Sequence, residues 1–128
     1  MLVPVSYYCF KMFLDPARII SITKDTLVSV GEEAQLNCTA DGNPLKVDHV
    51  SWRREGFSDM SSRTSTVFRN NTSILTIHKA TKEDIGAFLC VVNNGLGNET
   101  TAPAYLLVKR KYTLLTVFLH LNVPCSLI

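Results

Sequence analysis

The sequence lacks the residues and motifs that most enzymes and nucleic-acid-binding proteins need. Thirteen basic residues are nearly balanced by eleven acidic ones, and a net charge of +2 is too small to attract a nucleic-acid backbone. There is no phosphate-binding glycine loop, no dinucleotide fingerprint and no paired cysteine or histidine metal motif. The histidines at 49, 78 and 120 stand apart from any nucleophile motif. We therefore expect no enzyme activity, cofactor, metal, nucleic acid or small-molecule substrate.

A clean apolar run long enough to span a membrane is also missing. Residues 112–128 are apolar but are interrupted by His120, Asn122 and Pro124, whereas a spanning helix needs about 20 uninterrupted apolar residues. The basic cluster at 109–111 precedes this stretch, although positive charge should follow the span of a receptor whose domain lies outside the cell. We therefore interpret this stretch as something other than a spanning helix.

The sequence divides into one domain and two ends. Residues 18–110 have the length of a single domain with its own core. We expect residues 1–17 to be an irregular tail, because they are apolar but lack the early basic region of a signal peptide. Residues 111–128 are interpreted as an apolar tail, either truncated or read through. Cys9 and Cys125, in these tails, have no evident partner within the domain.

Apolar and polar residues alternate around the other two cysteines. In the first run the residues that share one face of a strand are Ala34, Leu36, Cys38 and Ala40. In the last run they are Phe88, Cys90 and Val92. Between the runs, Trp52 faces inward on a third short strand. This pattern predicts two stacked sheets joined by a Cys38–Cys90 disulfide, with the indole packed on the bridge.

The segments "LNCTADGNP", "VSW", "SILTIHKATKEDIGAFLC" and "NNGLG" resemble, in this order, an immunoglobulin I-set domain. The resemblance covers about residues 18–110, and the run from Trp52 to Thr100 is similar to domains of nephrin-type adhesion receptors. It implies an all-β, two-sheet antiparallel sandwich with Greek-key connections. Besides the two cysteines, the positions that carry the signature of this fold are Leu36, Trp52, Leu75, Ile77, Asp84, Gly86 and Phe88.

Two features of the corner before Cys90 follow from the resemblance. Asp84 occupies the place of the family's corner aspartate, which pairs with an arginine across the base of the sandwich, and either Arg63 or Arg69 could serve. Phe88 stands where the family often has a tyrosine whose hydroxyl bonds to the corner backbone. The lost hydrogen bond is worth about 1 kcal/mol, so we expect the fold to survive.

The outward face of the sheet that contains Trp52 and Cys90 is the candidate partner site. If Cys90 faces inward, the residues that face outward beside Arg53 are Leu89, Val91, Tyr105 and Leu107. An apolar patch with a basic rim predicts a protein partner, and the resemblance implies that this partner is another immunoglobulin domain. Two alternatives remain: a bulge at Pro103 shifts the register, or a tail or neighbouring domain covers the patch.

Four glycosylation sequons begin at Asn37, Asn70, Asn71 and Asn98. Asn70 and Asn71 overlap, and Asn37 adjoins a bridging cysteine, so folding competes with its modification. Sequons and a disulfide together predict a cell-surface domain of a membrane-anchored parent protein. The alternatives are two reduced core thiols, as in intracellular muscle I-set domains, and a spacer role in an ectodomain or filament.

Overall fold

A computed structural model describes residues 14–110 of the chain. Within them lie two short 3₁₀ helices, Val47–His49 and Lys82–Asp84, and eight strands. The strands are β1 (Asp15–Ile22), β2 (Asp25–Ser29), β3 (Ala34–Asn43), β4 (Val50–Arg54), β5 (Thr64–Arg69), β6 (Thr72–Ile77), β7 (Gly86–Val92) and β8 (Thr100–Lys109). The expected tails, apart from residues 14–17, and Cys9 and Cys125 lie outside the described residues.

The strands form two four-stranded sheets, as the sequence predicts. The first sheet has the order β1-β3-β6-β5, and the second has the order β2-β8-β7-β4. The chain changes sheets five times, and only the β5–β6 and β7–β8 connections stay within one sheet, which gives the predicted Greek-key sandwich. One pair departs from the antiparallel expectation, because β2 pairs with β8 in parallel. The reason is that β2 follows β1 after a break at residues 23–24 and joins the other sheet.

The first strand extends to both sides of residue 18, the expected start of the domain. β1 starts at Asp15, and Ala17 is buried in the core, so the expected boundary falls inside this strand. Ala17 packs against β3 at Gly42, where an added Cβ would lie 2.7 Å from the Cα of Ala17. Pro16 has no backbone N–H to donate to a neighbouring strand. It is tolerated in β1 because β1 is an edge strand.

The core between the sheets follows the predicted alternation. The inward residues of β3, among them Leu36, are buried, and so are those of β7, β6 and β8. Cys38 on β3 and Cys90 on β7 form the predicted disulfide, with their Cα atoms 6.4 Å apart. The bridge closes a loop of 52 residues, which is worth roughly 4 kcal/mol on the chain-entropy model.

A hydrogen bond runs beside the disulfide and was not predicted. Trp52 lies opposite Cys90 in the β4–β7 pair, and Ser73 lies opposite Cys38 in the β3–β6 pair. The indole Nε1 donates to the Ser73 hydroxyl oxygen at 3.0 Å, and both residues are buried. The neighbours of the two cysteines therefore join the sheets a second time.

Asn94 fastens the end of the sandwich where the domain begins. Its side-chain Oδ1 accepts a hydrogen bond from the Ala17 N–H at 3.0 Å. Its Nδ2 donates to the carbonyls of Asp15 at 2.8 Å and Pro44 at 2.9 Å. One amide therefore connects the start of β1, the turn after β3 and the loop after β7. The sequence suggests Asn94 only as a turn residue, because its partners are distant in the chain.

Candidate protein-binding face

The outward face of the second sheet has the register that the sequence predicts. Arg53 lies opposite Leu89, and Leu89 lies opposite Pro103, with no shift along the β7–β8 pair. The alternative of a bulge at Pro103 is therefore wrong. Proline is tolerated there because β2 pairs with β8 only from Tyr105 onward, which leaves the first half of β8 at the edge of the sheet.

One end of this face is covered, and we call it the closed end: Arg53, Leu89, Val91 and Glu99. Val91 was predicted to be exposed, but only 6% of it is accessible, and Leu89 is half-buried. The Arg53 guanidinium reaches across β7 and donates to Glu99 Oε1 at 3.1 Å. Val91 lies on β7 opposite Ser51 of β4 and Thr101 of β8, so the line from Arg53 to Glu99 passes this part of β7. Arg53 and Val91 are thus engaged within the domain.

The other end carries four exposed apolar side chains, which we call the open cluster: Leu27, Ile85, Tyr105 and Leu107. Their exposed fractions are 60%, 42%, 47% and 51%. Leu27 lies opposite Leu107 in the β2–β8 pair, and Ile85 directly precedes the β7 residue that pairs with Leu106. Tyr105 and Leu107 were predicted to face outward. Leu27 was missed because the parallel β2–β8 pairing was not foreseen, and Ile85 because it lies in the corner before β7 begins.

The charges around the open cluster are arranged on two sides. Asp25 lies opposite Tyr105, and Lys109 lies opposite Ser29, at the far end of the β2–β8 pair. Both charged side chains are exposed. The apolar pair Leu27 and Leu107 therefore stands between an acidic side and a basic side.

The corner beneath the cluster is held by a bidentate ion pair. Arg63 donates from Nη1 and Nη2 to the two carboxylate oxygens of Asp84, each at 2.9 Å. The Thr81 N–H donates to the same carboxylate at 2.8 Å. Arg63 is therefore the corner arginine, and Arg69 is not. Asp84 itself is 1% exposed.

The protonation of this pair follows from its surroundings. Burial alone would raise the pKa of Asp84, but the hydrogen bonds from Arg63 and the Thr81 N–H outweigh it, and the pKa lies below its ordinary value. The hydrogen bond to Asp84 raises the pKa of Arg63. Both groups are therefore charged at neutral pH, so this corner is an ion pair and not an acid–base site.

Arg54 replaces the hydroxyl that Phe88 lacks. Its guanidinium is buried and donates to the carbonyls of Glu83 and Ile85, the latter at 3.3 Å. It also lies over two rings, 4.0 Å from the centroid of Phe57 and 5.3 Å from that of Phe88. The backbone of Ile85, a member of the open cluster, is thereby fixed. Alternation along β4 points Trp52 and Arg54 to the same side, so the sequence pattern is sufficient to predict that Arg54 points inward.

The four sequon asparagines are all exposed. Asn37 lies on β3, the strand between β1 and β6. Asn70 and Asn71 have φ values of 51° and 59° and form the two-residue turn between β5 and β6. Asn98 lies in the loop between β7 and β8. Across residues 14–110, no helix is long and apolar enough to cross a membrane.

The immunoglobulin I-set domain family matches residues 17–107. The chain belongs to this family. The resemblance drawn from the cysteine, tryptophan and corner motifs is thus confirmed. An immunoglobulin domain is typically a binding or structural module.

Several relatives of this I-set domain share most of it. A peroxidasin homologue, pxn-2, of Caenorhabditis elegans is 36% identical over 95 residues, which cover 74% of the chain and 7% of the relative. Lachesin of Schistocerca americana is 39% identical over 75 residues, which cover 59% of the chain and 20% of lachesin. Nephrin of Rattus norvegicus is 29% identical over 103 residues, covering 77% and 8%. The chain therefore spans a small part of each relative, and lachesin and nephrin are cell-adhesion proteins.

Solved structures share the sandwich as well. The tandem immunoglobulin repeats of Dlar superpose with a TM-score of 0.68 at 30% identity, covering 77% of the chain and 51% of theirs. A chain from the complex of titin M10 with an obscurin-like 1 immunoglobulin domain gives 0.67 at 27% identity, covering 77% and 99%. Similar domains thus occur both in adhesion proteins and in titin.

Proposed function

We propose that this I-set domain is the protein-binding module of a cell-surface, nephrin-like recognition protein, and that the open cluster is its binding surface. The observation that carries the proposal is the grouping of four exposed apolar side chains, three on the paired strands β2 and β8 and one directly before β7. Val47, Phe57 and Leu96 are also exposed, but they lie apart from one another, in the first 3₁₀ helix, after β4 and in the loop after β7. Scattered residues of that kind are normal, whereas a contiguous patch marks an interaction site.

The partner that fits this surface best is a second copy of the chain. A two-fold axis through the Leu27–Leu107 centre would set Asp25 of one copy against Lys109 of the other, twice per dimer. The exposed hydrophobic centre would then be enclosed by two ion pairs. The titin M10–obscurin-like 1 structure offers a precedent in kind, because it joins immunoglobulin domains.

The predicted location is the outside of the cell, on a parent protein anchored in the membrane. The Cys38–Cys90 disulfide supports an oxidising compartment, and lachesin and nephrin are similar over most of the domain. The likeness to titin domains favours a second candidate function, a spacer in an ectodomain or filament. A spacer does not need to bind through the open cluster. The binding module should therefore self-associate, and a spacer should remain monomeric.

Sedimentation velocity of the purified chain over a concentration series separates the two functions. We expect the wild-type chain to dimerise, and Leu107→Glu to remain monomeric because two carboxylates would meet at the centre of the contact. The matched control is Val67→Glu, whose side chain is 49% exposed on the other sheet, and it should dimerise as the wild type does. A wild-type chain that stays monomeric throughout would reject the proposal in favour of the spacer.

A further inference from the structure

We propose that Asn37 carries an N-linked glycan that lies over an apolar row of the first sheet and closes that sheet to partners. The inference depends on the extracellular location proposed above, but not on the open cluster being a binding surface. It also explains why a sandwich with apolar residues on both outward faces would bind through only one.

The apolar row is defined by the register of the first sheet. Ile74 on β6 lies between Asn37 on β3 and Val67 on β5, so the three side chains stand side by side on the outward face. Val67 is 49% exposed and Ile74 is half-buried. Side chains directly opposite each other on neighbouring strands have Cβ atoms about 5 Å apart. A glycan on Asn37 therefore starts next to Ile74 and within reach of Val67.

The side chain of Asn37 is free to carry a sugar in the folded domain. It is exposed, and the hydrogen bonds of Asn37 within residues 14–110 come from its backbone: its N–H donates to the Thr23 hydroxyl and its carbonyl accepts from the Thr23 N–H, both at 3.0 Å. A glycan added to this amide therefore disturbs no hydrogen bond of the fold.

The rest of the sequon fixes when the glycan is added. Cys38 is buried in the disulfide, and the Thr39 hydroxyl is hydrogen-bonded to the Thr72 hydroxyl at 2.9 Å. A transferase that must hold the extended tripeptide cannot reach it once β3 has paired with β6. Modification of Asn37 therefore precedes the pairing of these strands and the closure of the Cys38–Cys90 bridge.

The other sequons also lie away from the open cluster. The Asn70–Asn71 turn is at one end of the first sheet, next to the row of Val67. Asn98 precedes β8, whereas Leu107 is near the end of that strand, so about 23 Å of strand separates them at 3.3 Å per residue. None of the four asparagines would place a glycan over Leu27 or Leu107.

The test is the site occupancy of the full 128-residue chain secreted from animal cells, measured by mass spectrometry of its glycopeptides. We expect Asn37 to be occupied. We also expect Asn37→Gln to bind more of an apolar fluorescent dye than the wild type, and Asn37→Gln with Val67→Glu to return dye binding to the wild-type level. After enzymatic removal of glycans, the wild type and Asn37→Gln should bind the dye equally.

An empty Asn37 in the secreted chain, or unchanged dye binding by Asn37→Gln, would overturn the inference. Asn37→Gln should fold, because it alters only an exposed side chain. A second variant tests the open cluster separately from the glycan at Asn37. Leu27→Asn creates the sequon Asn-Val-Ser on the open cluster, and Leu27→Gln is the matched control without a sequon. If the glycan at position 27 leaves self-association intact, the proposed binding surface fails while the glycan at Asn37 stands.

Discussion

The closed end and the open cluster lie on the same sheet face, yet they differ in what covers them. At the closed end, the Arg53–Glu99 ion pair joins residues on either side of β7, and Val91 on that strand is buried. At the open cluster, Leu27 and Leu107 face outward, and among residues 14–110 no ion pair lies across them. Alternation along a strand therefore decides the side on which a residue lies, and the long side chains of neighbouring strands decide whether it is accessible.

An aspartate placed at each end in turn should give the largest difference in the free energy of unfolding. Val91→Asp should lower the free energy of unfolding by about 3 kcal/mol, because its carboxylate would be buried. Leu107→Asp should change it by no more than about 1 kcal/mol, since that side chain is half exposed. Urea unfolding of the two variants measures both values, and equal losses would contradict the distinction between the ends.

The corner ion pair directly precedes Ile85 of the open cluster, so disrupting it should act first on that end. Arg63→Met leaves Asp84 buried without its bidentate partner and should lower the free energy of unfolding by about 2 kcal/mol. The loss is smaller than for a fully buried ion pair, because the Arg63 side chain is 33% exposed. The closed end should keep the Arg53–Glu99 contact. Amide hydrogen exchange should therefore increase around Ile85 and not around Val91, and a uniform increase would contradict this.

The same variant should alter the response to acid. The folded pKa of Asp84 is lowered, so its contribution to stability is complete above the ordinary value of 3.8 and is lost as the pH falls through the folded pKa. Arg63→Met removes the hydrogen bond that lowers the pKa of Asp84. Burial, which raises this pKa, is then less opposed, so the pKa of Asp84 rises. The wild type should thus lose more stability than the variant between pH 5 and strongly acidic pH, as urea unfolding at each pH would measure.

Arg54 can be tested through the residue that it replaces. Arg54→Met should cost about 1 to 2 kcal/mol, because the Glu83 and Ile85 carbonyls lose their donor. Adding Phe88→Tyr to this variant should recover part of the loss, since its hydroxyl supplies a donor to the same corner. Phe88→Tyr in the wild-type background, where Arg54 is present, is the control and should gain little in thermal unfolding.

The smallest effect is expected from the ion pair at the closed end. Glu99→Gln should lower the free energy of unfolding by less than about 0.5 kcal/mol, since both side chains of the pair are about half exposed. Self-association should not change, because Glu99 lies outside the open cluster. A weaker dimer in sedimentation would show that the closed end also takes part in binding.

Sequence reasoning reached the sandwich because its signals are local or periodic. The inward alternation around Cys38 and Cys90 predicts the two sheets and their bridge. Contacts between distant segments carry no such signal: the Trp52–Ser73 bond, the Asn94 amide and the choice of Arg63 over Arg69 each depend on how the strands pair. For the same reason, alternation predicted which residues of the second sheet point away from the disulfide but not that Val91 is buried.

The most direct test of the open cluster as a two-fold contact is a charge exchange between Asp25 and Lys109. Asp25→Lys and Lys109→Asp should each weaken dimerisation about tenfold or more, or about 1.4 kcal/mol, because like charges would meet twice per dimer. An equimolar mixture should dimerise about as well as the wild type, since each copy then meets an opposite charge. If the mixture associates no better than the separate variants in sedimentation velocity, the proposed contact is wrong.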